Sequence, residues 1–281
     1  RVAQRHRPKD LAAHIPFVAC DVLDGGSVHE AVRGATQIVI AVGFAYEGKT
    51  WREAWPKAMA HILDAAAQEK ARVIFVDNLY MYGPQTHPLR EDMPMQDYGT
   101  KPAARAEITR QWQAAHQSGR VKFAALRAPD FYGPGVANSH LGQLAFGNIA
   151  KGKSAMLIID PDQRHDFAFV PDIARGVVSL LDAPDDAFGQ AWHIPCAPIT
   201  TPRVILDIAA THLGKKLRLN TIPMWLLPLM GFFMPMMKEM TEMHFQWDRT
   251  YQVDSSKFAK RFWANATPFE IGAIETLKSF S

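Results

Sequence analysis

The side chains able to do chemistry are few and unevenly placed. Eleven histidines are present, but none forms His-Glu-x-x-His or sits in a close trio with carboxylates, so no metal site is expected. His165, beside Asp166, and His193 read as loop and strand residues. Cys20 and Cys196 lie far apart without a CxxC spacing, which predicts neither zinc nor a disulfide framework, and suits buried free thiols in a reducing cytoplasm. No Gly-x-Ser-x-Gly elbow occurs, which removes the common serine-hydrolase arrangement. What remains is a set of polar residues directly after short apolar runs: Asp21, Gly43, the pair Asp77-Asn78, and Asp130 after Ala128-Pro129. Tyr80 and Tyr82 follow the same kind of run, and one of the two would face a crevice if the chain stayed extended.

Those positions matter because of the elements that precede them. Short apolar runs alternate with helical patterns, the signature of βαβ units around a parallel sheet buried on both faces. Strands are expected at Phe17–Cys20, Gln37–Val42, Arg72–Val76, Lys122–Leu126 and Ala191–Ile194. Helices are expected at Ser27–Arg33 with Ser27 as N-cap, at Trp51–Lys70, and at Pro102–Ser118 with Pro102 in its first turn. Asp172 reads as a helix cap. Right-handed crossovers stack such units into an open twisted sheet whose ligand crevice lies beyond the carboxyl ends of the strands. The fold class is therefore α/β, a Rossmann-type doubly wound sheet.

The glycine-rich turn that opens a helix under a pyrophosphate is not found in these residues, and the first segment, Arg1-Val-Ala-Gln-Arg5-His-Arg7, resembles the tail of a second strand. The expectation is that the first strand and its turn lie outside this chain. No charged-then-apolar leader is visible, so no signal peptide is expected. Arg5 and Arg7 then fall where such folds distinguish cofactors, since an arginine there accommodates a 2′-phosphate; this favours NADP, with NAD as the alternative. Asp21 either bonds an adenine amino group or caps its own turn. The domain reading is a dinucleotide-binding unit over 1–195, with a substrate-side excursion around 135–165, and a mainly helical substrate domain over 196–281.

Composition narrows the partners. The chain has 281 residues and a net charge of +3 from scattered side chains, which gives no basic stripe for a nucleic acid. Its most apolar stretch, Met224 to Met237, is 14 residues long and contains Pro228 and Pro235, too short for membrane insertion. The seven methionines between Met224 and Met243, with Trp225, Phe232 and Phe233, suit core packing, and otherwise an adaptable apolar pocket.

In order along the chain, Cys20-Asp-Val-Leu-Asp24, Ile38-Val-Ile-Ala-Val-Gly43, Ile62-Leu-Asp-Ala-Ala-Ala67, Val76-Asp-Asn-Leu-Tyr-Met-Tyr-Gly83, Glu91-Asp-Met-Pro94, Leu126-Arg-Ala-Pro-Asp-Phe-Tyr-Gly-Pro-Gly135 and Phe167-Ala-Phe-Val-Pro-Asp172 resemble the extended short-chain dehydrogenase/reductases, the NAD-dependent epimerase/dehydratase family. The resemblance implies that Asp21, Val22, Val42 and Gly43 line adenine and ribose and that Pro129 approaches the nicotinamide. It also implies a proton relay of a Ser or Thr, a Tyr and a Lys, with the Lys lowering the tyrosine pKa.

This sequence departs from that pattern. Asn78 stands at the hydroxyl position, and an amide donates a hydrogen bond but cannot join a hydroxyl relay. Tyr98-Gly-Thr-Lys101 is one residue shorter than Tyr-x-x-x-Lys, so the two side chains are offset on a helix; the expectation is that Tyr98 exchanges the proton, meeting Lys101 across a loop, with Asn78 orienting the substrate oxygen. Lys101 is also expected at the cofactor ribose, and Tyr80 is the substitute acid. The implied protein is an NAD(P)-dependent oxidoreductase or epimerase/dehydratase-like enzyme acting on a small carbonyl or alcohol. The alternative is a nucleotide-binding sensor or regulator of the same fold without turnover. A homodimer through Trp51–Lys70 and Pro102–Ser118 is the family's usual pairing.

Overall fold

A computed structural model describes residues 1–231 and 235–281; Phe232, Phe233 and Met234, part of the methionine-rich stretch, lie outside the described residues. The first half alternates strands and helices: β1 (Val2–Gln4), β2 (Phe17–Ala19), α1 (Gly25–Val32), β3 (Gln37–Ile40), α2 (Gly48–Glu69), β4 (Arg72–Asp77), α3 (Lys101–Gln117) and β5 (Phe123–Arg127). There follow β6 (Asp130–Tyr132), α4 (Gly147–Ala150), β7 (Ala155–Leu157), β8 (Phe167–Phe169), α5 (Val170–Leu181) and β9 (Ala191–His193). The remainder comprises α6 (Pro202–His212), β10 (Leu219–Thr221), α7 (Leu227–Met230), α8 (Pro235–Thr241), α9 (Ser256–Arg261) and α10 (Phe269–Lys278). Among the described residues, no helix is long and apolar enough to cross a membrane.

Strands β3, β4, β5 and β9 form one parallel sheet in the order β3-β4-β5-β9. β1 and β2 pair separately in parallel with Gln4 opposite Ala19, and among the described residues no strand bridges β1 to β3. Every residue of β5 is buried, as expected for a parallel strand covered on both faces. Alternation then assigns neighbours to opposite cores. Phe75 and Phe123 join Trp51, Trp55, Met59, Ile108 and Trp112 beneath α2 and α3, while Ile74, Ala124 and Leu126 join Ile173, Val177 and Leu180 of α5. Gly176 lets α5 lie close to the sheet: a Cβ there would stand 2.5 Å from Ile194 Cδ1 and 3.0 Å from Leu126 Cδ2. A third core joins β6, β7 and β8 to α6 and α10 through Tyr132, Phe146, Phe167, Leu206, Trp247 and Phe269.

Local chemistry shifts several element ends from their expected places. α1 begins two residues early because Asp24, not Ser27, is its N-cap: Asp24 Oδ1 accepts from Gly26 N at 2.9 Å and Ser27 N at 3.4 Å. Ser27 Oγ instead accepts from Asp21 N at 3.0 Å. α2 ends at Glu69 because Lys70 turns left-handed (φ 53°), its N–H reaching back to the carbonyls of Ala66 and Ala67. Tyr80–Tyr82 closes into a 3₁₀ turn, so these tyrosines do not alternate as an extended strand would. Asp172 lies inside the first turn of α5 and does not cap it; its carboxylate accepts from Thr267 N at 2.7 Å and Thr267 Oγ1 at 3.1 Å, tying the C-terminal segment to that helix. The short pairs β6-β8 and β7-β10 have no counterpart among the strands expected from sequence, since three residues carry too little pattern.

Asp166 gives the fold a pH signature. It is buried without a cationic partner in bonding range, its Oδ2 accepting Val253 N at 2.8 Å, and burial pushes its carboxyl up to about 7. A carboxyl raised in the folded state is protonated there while the unfolded chain has already ionised. Its contribution is therefore full below the unfolded pKa of about 4 and is lost as pH rises toward 7. His193 acts oppositely: burial holds it near 3, so the folded state loses stability as pH falls below about 6.5. The two are separated by difference. Denaturant unfolding of wild type and Asp166→Asn between pH 4.5 and 8 is expected to diverge by up to roughly 4 kcal/mol across that range, with the Asn variant gaining relatively at the alkaline end.

Candidate active site

The site is built at the carboxyl ends of β3, β4 and β5. Its floor is a buried ionic network. Asp77, the last residue of β4, accepts on Oδ1 from Arg105 Nη1 at 3.0 Å and from Asn78 N at 2.8 Å. Its Oδ2 faces Arg127 Nε at 3.5 Å. Arg127, at the end of β5, donates from Nη1 to the Tyr82 hydroxyl at 2.6 Å and from Nη2 to Thr109 Oγ1 at 3.2 Å. The Tyr82 hydroxyl then lies 3.0 Å from His193 Nε2, whose Nδ1 lies 3.3 Å from the carbonyl of Asp254. Because that carbonyl only accepts, Nδ1 carries the hydrogen and Nε2 takes the one from Tyr82, which agrees with a neutral His193. The Arg105 guanidinium also lies 3.9 Å above the Trp55 ring and 4.8 Å above Trp51, and its burial lowers its pKa.

Above this floor stands a pair of tyrosines. Tyr80 is half-buried with its ring stacked on Trp51 at 5.9 Å and 14°. The Tyr46 hydroxyl, from the loop between β3 and α2, sits beside that of Tyr80. Burial raises both pKa values well above the tyrosine range, and the negative charge of Asp130 adds to each, so both hydroxyls stay protonated donors. Asn78 Oδ1 accepts Tyr80 N at 3.1 Å, which holds the turn and points the amide along its edge.

Tyr98 and Lys101 occupy different environments. Tyr98 is 41% exposed, with its ring edge-on to Phe245 at 5.5 Å. Lys101 is wholly buried at the start of α3, its Nζ lying 4.7 Å from the Tyr46 ring centre. Nζ donates to Glu242 Oε2 at 3.0 Å, to the Glu239 carbonyl at 3.1 Å and to Glu239 Oε2. An ammonium has three N–H donors, and all three are used here. Glu239 Oε2 also accepts Gly48 N at 2.8 Å; burial acts to raise the Glu239 carboxyl, but Lys101 and this N–H outweigh it and hold it below the usual range. In this arrangement Lys101 has no donor left for a ribose hydroxyl.

The other expected cofactor positions lie along strand ends. Asp21 follows β2, its Oδ1 accepting Leu23 N at 3.0 Å, and the Val22 carbonyl lies 3.1 Å from His61 Nδ1. Val42 packs against the core under α2, and Gly43 has open space where a side chain would stand. Arg5 and Arg7 are placed just past β1, Arg5 exposed and Arg7 lying 5.8 Å from the Phe17 ring. Pro129 is buried between β5 and β6. An exposed carboxylate at one strand end and an uncovered glycine at another fit a flat base and its ribose; the Lys101 position does not add to that cradle.

One further group faces the tyrosine pair. Asp130, the first residue of β6, bonds through Oδ2 to Nε2 of His165 at 2.9 Å. From sequence Asp130 is expected at a strand end, whereas His165 carries no sign of a role beyond its loop. The signal available was the position of Asp130 after β5; its partner is 35 residues away and is joined to it only by the parallel pairing of β6 with β8.

Comparison with known proteins agrees with this architecture. A family model described as the NAD dependent epimerase/dehydratase family matches residues 1–194. No curated protein matches the chain in sequence. Among solved structures, UDP-glucuronic acid 4-epimerase from Bacillus cereus with NAD is similar at a TM-score of 0.76 and 15% identity, over 96% of this chain and 82% of that one. UDP-glucose 4-epimerase of Thermus thermophilus with NAD gives 0.76 and 18%, over 98% and 87%. DesIV, a dTDP-glucose 4,6-dehydratase from Streptomyces venezuelae with NAD and TYD bound, gives 0.74 and 20%, over 97% and 81%. At these identities the structures speak for the fold, and the family model, which spans more than half of the chain, for descent. With its parallel sheet and strand-end crevice, the chain belongs to the NAD-dependent epimerase/dehydratase family of enzymes.

Proposed function

We propose that this chain is an NAD(P)-dependent oxidoreductase or epimerase/dehydratase-like enzyme for a small carbonyl or alcohol substrate, in which Tyr80 takes the place expected of Tyr98. The observation that carries this reading is the environment of Tyr80. It stands at the end of β4 with its ring braced on Trp51 and its hydroxyl beside Tyr46, whereas Tyr98 lies at the surface and Lys101 is occupied by Glu239 and Glu242. In this role Tyr80 donates a hydrogen bond to the substrate oxygen, and the Asn78 side-chain amide orients that oxygen. Asp21, Val22, Val42, Gly43 and Pro129 would line the dinucleotide, and Arg5 and Arg7 would meet a 2′-phosphate, favouring NADP. When bound, the dinucleotide supplies hydride exchange.

A second reading is supported by the same geometry. With Lys101 fully engaged and both tyrosines held protonated, a chain that binds dinucleotide without turnover serves as a sensor or regulator. An assay of product formation, with reduced dinucleotide followed in parallel, over a panel of UDP-glucose, UDP-glucuronic acid, dTDP-glucose and simple aldehydes and ketones separates the two. Turnover is expected, with Tyr80→Phe lowering kcat by about 100-fold or more and Tyr98→Phe changing it by less than about threefold. The reverse pattern would return the acid/base role to Tyr98, and dinucleotide binding with no turnover would favour the sensor.

Cofactor choice is measured independently by calorimetry. Loss of the arginines in Arg5→Ala/Arg7→Ala is expected to weaken NADP binding about tenfold while leaving NAD binding unchanged. Equal loss for both dinucleotides would remove the 2′-phosphate assignment.

A further inference from the structure

His165 is wholly enclosed, yet it is a polar ring with two committed nitrogens. It lies parallel between Trp247, 3.8 Å away at 5°, and Tyr251, 4.9 Å away at 13°. Its main-chain N–H is tied to the Thr200 carbonyl at 2.9 Å, so neither ring nor backbone is free to swing. Nδ1 lies 3.2 Å from the carbonyl of Gln246, and Nε2 lies 2.9 Å from Asp130 Oδ2. A carbonyl only accepts, so Nδ1 bears a hydrogen. The remaining contact joins two groups that are both acceptors unless one proton lies between them. Asp130 and His165 therefore share a proton.

Tyr251, stacked on His165, belongs to a packed cluster against which Tyr80 and Tyr46 also lie. The Asp130 side chain is 14% exposed, and its charge acts on both Tyr80 and Tyr46. Burial acts to raise the Asp130 carboxyl, but the hydrogen bond from His165 outweighs it and holds Asp130 below the usual carboxylate range. His140, packed on Trp247 at 4.4 Å, is held below the usual histidine range by burial, with Asp130 opposing and His165 reinforcing that shift. Tyr251 is kept protonated by burial. Glu242, the other carboxylate whose charge reaches Tyr46, is bound by Lys101. Of the carboxylates acting on the tyrosine pair, Asp130 is thus the one held by a histidine in place of a lysine or arginine.

We propose that Asp130 is the catalytic proton acceptor of this site and that His165 is the positioning residue that orients and charges it. This rests on the preceding reading that substrate binds at Tyr80. In the step, the substrate O–H bond breaks, the proton bonds to the Asp130 carboxylate, and the electron pair stays on the substrate oxygen. Tyr80 and Tyr46, which cannot take that proton, donate hydrogen bonds to the oxygen as its charge grows. The reverse step returns the proton from the Asp130 carboxyl. The division of labour assigns donation to the tyrosines and acceptance to the carboxylate, without recourse to Lys101.

The test uses the full chain with bound dinucleotide and the same panel of sugar nucleotides and carbonyl compounds, together with ¹⁵N NMR of the histidine side chains of the free protein. Asp130→Asn, which keeps the shape and an acceptor for His165, is expected to lower kcat by about 10²–10⁴-fold with KM changed less than about threefold. His165→Gln is expected to lower kcat about tenfold and to displace the acidic limb of the kcat–pH profile, a shift that a purely structural role would not produce. NMR is expected to show a hydrogen-bonded proton between His165 Nε2 and Asp130 in the wild type and its loss in Asp130→Asn. Wild-type turnover that survives Asp130→Asn within about threefold, or no proton between His165 Nε2 and Asp130 in the wild type, would overturn the pair while leaving the preceding reading intact. Dinucleotide binding without wild-type turnover of any panel member would overturn that reading and the catalytic role together.

Discussion

Asp77 seals the carboxyl end of β4 beneath two guanidinium groups, and most of the site is arranged around that buried contact. Through Arg105 it fixes α3 against the sheet, and through Arg127 it reaches the end of β5, Tyr82 and then His193 on β9. Four segments distant in sequence are thereby set in register at the carboxyl ends of the strands. Charges taken from water are costly unless every partner is supplied, and losing one partner of such a group typically costs about 3–5 kcal/mol. The network satisfies most of its members: Arg127 spends its donors on Asp77, Tyr82 and Thr109, while Arg105 retains a buried Nε without a hydrogen-bond partner among the described residues and lies instead on aromatic faces. Asn78 and Tyr80 follow directly on this floor, Asn78 Oδ1 accepting the Tyr80 N–H.

The carboxylates around this floor differ by what they meet. Asp77 has two arginines, Glu239 and Glu242 share Lys101, and Asp130 has a histidine. Asp166, one residue from that histidine, has only a main-chain N–H in bonding range and is pushed up to about 7. A guanidinium or ammonium holds its carboxylate ionised and unreactive, whereas an imidazole shares its proton across the same pH range in which enzymes work. The same side-chain type therefore meets a different partner at each place: two arginines, a lysine, a histidine or a main-chain N–H.

The C-terminal third contributes to the site without extending the main sheet. Gln246, Trp247 and Tyr251 enclose His165, and Glu239 and Glu242 come from α8 and the turn after it to engage Lys101. Asp172 binding Thr267 and Asp166 binding Val253 pin the returning chain to α5 and β8. His165 and Lys101 are thus held by residues 81 and 141 positions away, Gln246 and Glu242.

Sequence alone determined the parallel α/β architecture, because an apolar run such as the strand expected at Lys122–Leu126 suits burial on both faces, and it placed Asp21 and Asn78 just after strands, while β3 stops at Ile40, short of the expected Val42. It also showed that Asn78 stands where a hydroxyl is expected and that Tyr98 and Lys101 are one residue closer than Tyr-x-x-x-Lys. It could not tell that Tyr80–Tyr82 closes into a 3₁₀ turn, since that turn is held by Asp77 and Asn78 binding their own main chain. Nor did it pair Lys101 with Glu239 and Glu242 or Asp130 with His165. Periodicity records which side of an element is buried; the partner that meets a buried charge is chosen by how distant segments pack, and only the tertiary structure decides that.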